Sequence, residues 1–270
     1  MRKQNLHTHT TFCDGKNTPE EMVQKALSLG FESIGFSGHS YMFYSPSWSM
    51  KIDQTEEYKK EIRALKEKYA GQIGVYCGLE FDMYSKVDLS DYDYVIGAVH
   101  YLMVNGEYVG FDRSAESVKG TIDHYFGGNG LKYAQKYYET VAQLPEYGRT
   151  DIVGHYDIIT KHAEKHHFFD TESKEYQGYA IEGLRALVPK VNVFEINTGA
   201  IARGYRTTPY MAPFLLKELK RLGGQIVISS DCHDMEYLDC HFKETMEYAK
   251  AYGFNEILIF KDGKFEGQKI

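Results

Sequence analysis

At 270 residues the chain is long enough to bury a sizeable core and fits one α/β barrel or two small domains. Its 38 acidic residues against 31 basic ones leave a formal charge of −7, and no basic stripe interrupts that balance, which argues against coating a phosphate backbone. No stretch approaches the roughly 20 apolar residues of a membrane span, Met1–Leu6 carries no apolar signal core, and Cys13, Cys77, Cys232 and Cys240 form no C-x-x-C pair, so free thiols in a cytoplasmic protein are expected.

The first predicted strand, residues 5–10, carries His7-Thr8-His9. On an extended strand, residues i and i+2 share a face, so the two imidazoles aim at one spot. Asp14 follows in Cys13-Asp14-Gly15, where Asp-Gly is also a strong turn dipeptide. Thr18-Pro19-Glu20-Glu21 reads as an N-cap with proline in the first turn, opening a helix that Gly30 closes. A second strand, 33–38, runs into His39, and the aromatic residues Tyr41, Phe43, Tyr44 and Trp48 come next. A charged, periodic helix over 53–69 leads to an apolar strand, 74–80, that ends on Glu80. Strand 94–100 is apolar up to its last residue, His100. Residues 101–129, with Gly-rich ends and weak periodicity, read as a lid or loop insertion that includes Tyr101 and Phe111.

A helix over 131–144 precedes strand 152–155, which ends on His155. His162, His166 and His167 sit in a charged stretch and are expected in solvent, as are His124 and His241 beside helices. Helix 174–187 and strand 193–197 lead to Arg203 and Arg206, then to helix 209–222 and strand 226–230. That last strand runs directly into Asp231-Cys232-His233, a second i, i+2 pair. Helix 241–252 and a hairpin over 256–265, turning at Asp262-Gly263, complete the chain.

Seven strand–helix units argue for a parallel sheet covered by helices. An open doubly wound sheet gathers its site at one switch point from few strands, whereas here nearly every strand ends beside a charged or imidazole side chain, the habit of a (β/α) barrel. There is no G-x-G-x-x-G after the first strand and no Walker-type Gly-Lys-Ser/Thr. The nine side chains His7, His9, Asp14, His39, Glu80, His100, His155, Asp231 and His233 suit one polynuclear centre, because imidazole and carboxylate together suit Zn, Fe or Mn.

In this order and spacing, the nine residues resemble the PHP (polymerase and histidinol phosphatase) family, whose pattern is H-x-H, an acid, His, Glu, His, His or Cys, and a closing D-x-H. The resemblance spans residues 7–233. Asn197-Thr198-Gly199 followed by Arg203 brings it closest to the histidinol-phosphate phosphatase branch, and Cys13 departs from the serine many members carry before Asp-Gly. It implies one domain over residues 1–270, a distorted (β/α)7 barrel with its site at the C-terminal strand ends, and three divalent ions. By position, His7, His9, Glu80 and Asp231 would hold the first, Glu80, His100 and His155 the second, and Asp14, His39 and His233 the third.

Such a centre hydrolyses a phosphate monoester with a bridging water as hydroxide and no protein nucleophile. Arg203, Asp231 and His233 are the expected catalytic residues. Arg203 and Arg206 are candidates for the phosphate, since guanidinium matches phosphoryl oxygens. Tyr41 and Tyr101 are substrate-wall candidates, with Phe43, Tyr44, Trp48 and Phe111 beside them. The expected substrate is L-histidinol phosphate, a small phosphate ester, with no nucleic-acid or membrane partner. Two alternatives stay open: a phosphoesterase for another small phosphate or nucleotide, and a non-catalytic metal-binding regulatory protein.

Overall fold

A computed structural model describes residues 2–270. Seven parallel strands form one sheet in the order β1, β2, β3, β4, β7, β8, β9. They are β1 (Gln4–Asn5), β2 (Ser33–Phe36), β3 (Gly74–Asp82), β4 (Tyr94–Ala98), β7 (Ile152–Val153), β8 (Val193–Asn197) and β9 (Gln225–Ser229), with the hairpin β5 (Tyr101–Val104) and β6 (Glu107–Gly110) between the fourth and fifth of them. The sheet curls into a nearly closed barrel. Its two edges meet beyond the ends of β1 and β9, where Thr8 and Cys232 pair in parallel: Cys232 N–H donates to the His7 carbonyl (3.1 Å) and His9 N–H to the Cys232 carbonyl (2.8 Å). The joint therefore runs through the two ligand triplets themselves.

Seven strands were expected and seven are present, with helices between them. The first helix, Pro19–Ser28, has the capping box of Thr18 with Glu21 and ends before Gly30, whose φ is +72°. Two expectations change. Residues 101–129 are not irregular: Asn105 and Gly106, both in the left-handed region, turn the β5–β6 hairpin, and a helix spans Ala115–Phe126 with Ser114 as its cap. The helix expected over 209–222 starts only at Pro213, because the backbone of Tyr210 is paired with that of Asn197 instead.

The lower half of the barrel is filled by a compact apolar group around Tyr94, with Leu6, Ile96, Ile152 and Val227. The Tyr94 hydroxyl donates to the Leu6 carbonyl and also reaches that of Phe36 (3.2 Å), so a polar tip is satisfied inside an apolar plug. Gly35 and Gly78 make room for this ring: a Cβ on Gly78 would lie 2.3 Å from the ring carbon Cζ. The hairpin of β10 (Glu256–Lys261) and β11 (Lys264–Lys269) closes the bottom with Leu258 and Phe260, and the Gln4 side-chain amide clamps it by bonding both backbone groups of Phe260 (2.7 Å each). The upper half is left to polar side chains. Gly78→Ala is expected to destabilise the protein by about 1–3 kcal/mol through overpacking against Tyr94, read as a lower urea midpoint at constant m-value.

Candidate metal centre

All nine predicted ligand residues converge on the C-terminal rim. Ligand atoms fall into four overlapping groups, each within 4.8 Å: His9, Asp14, His39 and His233; His7, His9 and Asp231; His7, Glu80 and His155; and His39, Glu80 and His100. Local structure explains the convergence. The turn at Cys13-Asp14-Gly15 folds back on Thr10, whose carbonyl accepts from Cys13 N–H (2.9 Å) and Gly15 N–H (3.1 Å); a Cβ on Gly15 would lie 2.4 Å from the Thr10 nitrogen. That close approach holds Asp14 over His39 and His233, with Oδ1 3.5 and 3.3 Å from their Nε2 atoms. Asp231 adopts a left-handed φ of +48°, so the closing triplet is not the plain extended segment its i, i+2 spacing implied.

Glu80 is the hub. Its carboxylate lies 2.6 Å from His39 Nδ1, 2.9 Å from His155 Nε2, and 3.5–3.6 Å from the Nε2 atoms of His7, His9 and His100. Among the described residues, the buried His7 Nε2, His9 Nε2, Glu80 Oε2 and His155 Nδ1 have no hydrogen-bond partner. Several orphaned donor atoms in one buried spot would be costly in a purely structural cluster, and they fit the coordination sphere of a divalent cation. Electrostatics agree. Burial raises the carboxyls of Glu80 and Asp231, but the surrounding imidazoles, with Arg203 leading for Asp231, outweigh it and hold both well below the usual range. Burial, with His233 and His39 nearby, lowers His9 to about 3, so its imidazole is neutral and its lone pair available.

Two buried carboxylates outside the predicted set orient these ligands. Glu195, one layer down on β8, accepts from His7 Nδ1–H (2.7 Å) and the hydroxyl of Ser229 on one oxygen, and from the backbone N–H of His155 (2.8 Å) and Asn197 Nδ2 (3.0 Å) on the other. Asp82, at the end of β3, meets His100 Nδ1 at 3.2 Å and accepts the Tyr44 hydroxyl. Each carboxylate fixes the Nδ1–H tautomer and leaves Nε2 for the metal. A signal for both was present: Glu195 is a lone acid inside an apolar strand, and Asp82 stands two residues beyond Glu80, on the same strand face.

The remaining predicted residues separate. Arg203 sits at the centre, donating from Nη2 to Asp231 Oδ2 (3.0 Å) and from Nη1 to the Asp231 carbonyl (3.2 Å), with Nη1 3.1 Å from His233 Nδ1. Arg206 is engaged elsewhere: it donates to Thr160 and Thr208, stacks on Tyr210, and lines a separate cavity. A cleft of about 310 Å³ opens beside Asp14 and His100 and is lined by Trp48 and Tyr101, not by Tyr41. Phe111 turns into the core against Tyr137 (5.2 Å between centroids). His162, expected in solvent, is buried because its Nε2 is held 2.6 Å from the Arg113 carbonyl; His166, His167, His124 and His241 are exposed. All four cysteines are free, and among the described residues no helix is long and apolar enough to cross a membrane.

A seven-stranded barrel with a histidine and carboxylate cluster at its C-terminal rim defines a divalent-metal protein. The sequence matches the PHP domain family over residues 5–199, and the chain belongs to that family. It is similar to a probable histidinol-phosphatase of Deinococcus radiodurans, with 30% identity over 92% of each chain. It is 28% identical to a histidinol-phosphatase of Bacillus subtilis, over 86% of this chain and 94% of that one. Among solved structures, histidinol phosphate phosphatase from Lactococcus lactis, complexed with zinc, L-histidinol and phosphate, superposes with a TM-score of 0.73 at 25% identity, covering 98% of this chain and 99% of its own.

Glu195→Gln is expected to lower metal affinity by about 10- to 100-fold with the fold retained, because an amide cannot accept from both donor pairs at once. Competition with a chelating dye, beside circular dichroism, measures it; unchanged affinity would leave Glu195 as packing only.

Proposed function

We propose that this chain is a metal-dependent phosphomonoesterase that hydrolyses L-histidinol phosphate to L-histidinol and phosphate, a step of histidine biosynthesis. The observation that carries this reading is the convergence of all nine family ligands on a rim beside a small cleft, which suits a compact ester better than a polymer. The relatives named histidinol-phosphatase, one of them bound to zinc, L-histidinol and phosphate, support the substrate.

Our reading places three divalent ions in the centre. Asp14, His39 and His233 would hold one, with His9 close by; His7, His9 and Asp231 another, with Glu80; and Glu80 the third, with His100 and His155, which both face its Oε1 although they fall in separate ligand groups. Zinc is favoured by the Lactococcus lactis complex, and iron or manganese also suit these donors. When bound, such ions neutralise phosphoryl oxygens and supply a water acidic enough to attack at neutral pH.

The protein's own groups then have distinct tasks. Arg203, anchored on Asp231, turns a guanidinium toward the phosphoryl oxygens and keeps Asp231 ionised. An ionised Asp231 serves better as ligand and proton acceptor than as the acid that protonates the leaving alkoxide. His233 fixes Asp14 and faces Arg203. Because Arg203 also positions Asp231, truncating it changes more than phosphate affinity. We assign Arg206 to structure, holding Thr160 and Thr208. The chain acts as one domain in this reading, since Arg203, Asp231 and His233 lie beyond the family match of 5–199 yet complete its site. A cytoplasmic location accords with the four free thiols.

Zinc-loaded protein is expected to release phosphate from L-histidinol phosphate with a higher kcat/KM than from sugar phosphates, nucleotides or a DNA oligomer. Chelation should abolish turnover, zinc should restore it, and His9→Ala should reduce it to background. Preference for another member of that panel would keep the hydrolase and move the substrate. Metal-replete protein without turnover on any of them would favour a non-catalytic role.

A further inference from the structure

The cleft beside the metal centre contains a carboxylate that no ligand group uses. Asp112, just beyond the β5–β6 hairpin, lines the same cavity as Asp14, His100, Trp48 and Tyr101. Its Oδ1 is paired with Lys161 Nζ at 2.6 Å, which also reaches the Asp112 carbonyl at 3.4 Å. Its Oδ2 has no hydrogen-bond partner among the described residues, although the side chain is only 25% exposed. Burial pushes this carboxyl up, but Lys161, His100 and Arg203 hold it below its ordinary value, so it is charged at neutral pH.

Lys161 is itself largely buried, with its ammonium 4.6 Å from the Tyr205 ring centroid. Arg113 lines the cleft at its exposed edge but makes no ion pair with Asp112 among the described residues. The neighbouring surfaces are aromatic: Trp48 and Tyr101 lie nearly parallel (12°), and Trp48 is held edge-on to His39 and His100, with ring centroids 4.4 and 5.4 Å away. A charged carboxylate lining the same cleft as two aromatic rings offers a cation both an anionic partner and ring surface.

We propose that Asp112 is the specificity residue for the leaving group, its open Oδ2 receiving the ammonium of an aminoalkyl phosphate while Trp48 and Tyr101 take the adjoining ring. The inference rests on the phosphatase reading and names what selects within it. In L-histidinol phosphate the ammonium is two carbons from the ester oxygen, so a phosphate on the metals brings the amine to the same cleft. Selection is electrostatic: a phosphate ester whose alkyl group is uncharged would leave the carboxylate with only Lys161, while an ammonium adds a charge-assisted bond.

The test compares zinc-loaded wild type with Asp112→Asn, which keeps an acceptor for Lys161. The substrates are L-histidinol phosphate, its analogue lacking the amine, and p-nitrophenyl phosphate. Wild type is expected to prefer the amine-bearing ester. The variant should lose about 10- to 100-fold in kcat/KM on that ester alone, mainly through KM, and change little on the other two. Binding of L-histidinol to the zinc-loaded protein, measured by calorimetry, should weaken in parallel. Equal losses on all three substrates would make Asp112 a structural partner of Lys161 and overturn the proposal, as would a wild type that treats the two esters alike. A wild type that hydrolyses p-nitrophenyl phosphate but neither ester would sink the histidinol-phosphate reading together with this one.

Discussion

Everything at the rim depends on how the barrel is closed. The main strands supply ordinary parallel ladders, but the first and last meet through Thr8 and Cys232, with backbone bonds to His7 and His9. The residues that join the sheet edges are thus the central members of the two ligand triplets. Closing the sheet and assembling the donor set are one geometric event. Side-chain direction follows from it, because Thr8 and Cys232 use their backbone for the joint while their neighbours turn into the mouth.

A cluster of six histidines and three carboxylates in one mouth, all but Asp14 and His233 buried, is unfavourable unless charge and hydrogen bonding are arranged. Glu80 faces five imidazoles at once, and Arg203 offsets Asp231. Glu195 and Asp82 then set the tautomers of His7 and His100 from one layer below. The barrel interior is accordingly divided along its axis. An apolar plug around Tyr94 fills the lower half, sealed by the β10–β11 hairpin, and above it a polar layer of satisfied carboxylates carries the open ligand atoms. Rigid support of this kind lets side chains with unmet bonding capacity persist.

The sequence was legible where periodicity and termini coincide. Apolar runs ending on His39, Glu80, His100 and His155 announced both the parallel sheet and its functional end, since a strand buried on both faces is otherwise apolar throughout and the same ending recurs four times. Glu195 and Asp82 stand outside that pattern, because Glu195 lies inside its strand and Asp82 is marked only by the two-residue period that pairs it with Glu80. The β5–β6 hairpin escaped because its short strands show little alternation, and its Asn105-Gly106 turn is the local mark that defines it. Long-range contacts were out of reach. Nothing local tells that Phe111 turns inward, that His162 is tied to the Arg113 carbonyl, or that Arg206 is spent on Thr160 and Thr208.

The joint between Thr8 and Cys232 also bears on the order of folding. Its partners stand at opposite ends of the strand sequence, so their contact has one of the largest separations in the chain and a correspondingly high loop-closure cost. During synthesis, His7 and His9 emerge first and wait with their imidazoles uncommitted until β9 and Asp231 arrive. A nascent chain that stops before β9 holds most of the donors without the strand that aligns them, and its first strand, β1, retains an unpaired edge. The full donor set therefore exists only once the barrel is complete, and a cation taken up early by the loose N-terminal histidines would have to be released or reseated when the last strand docks.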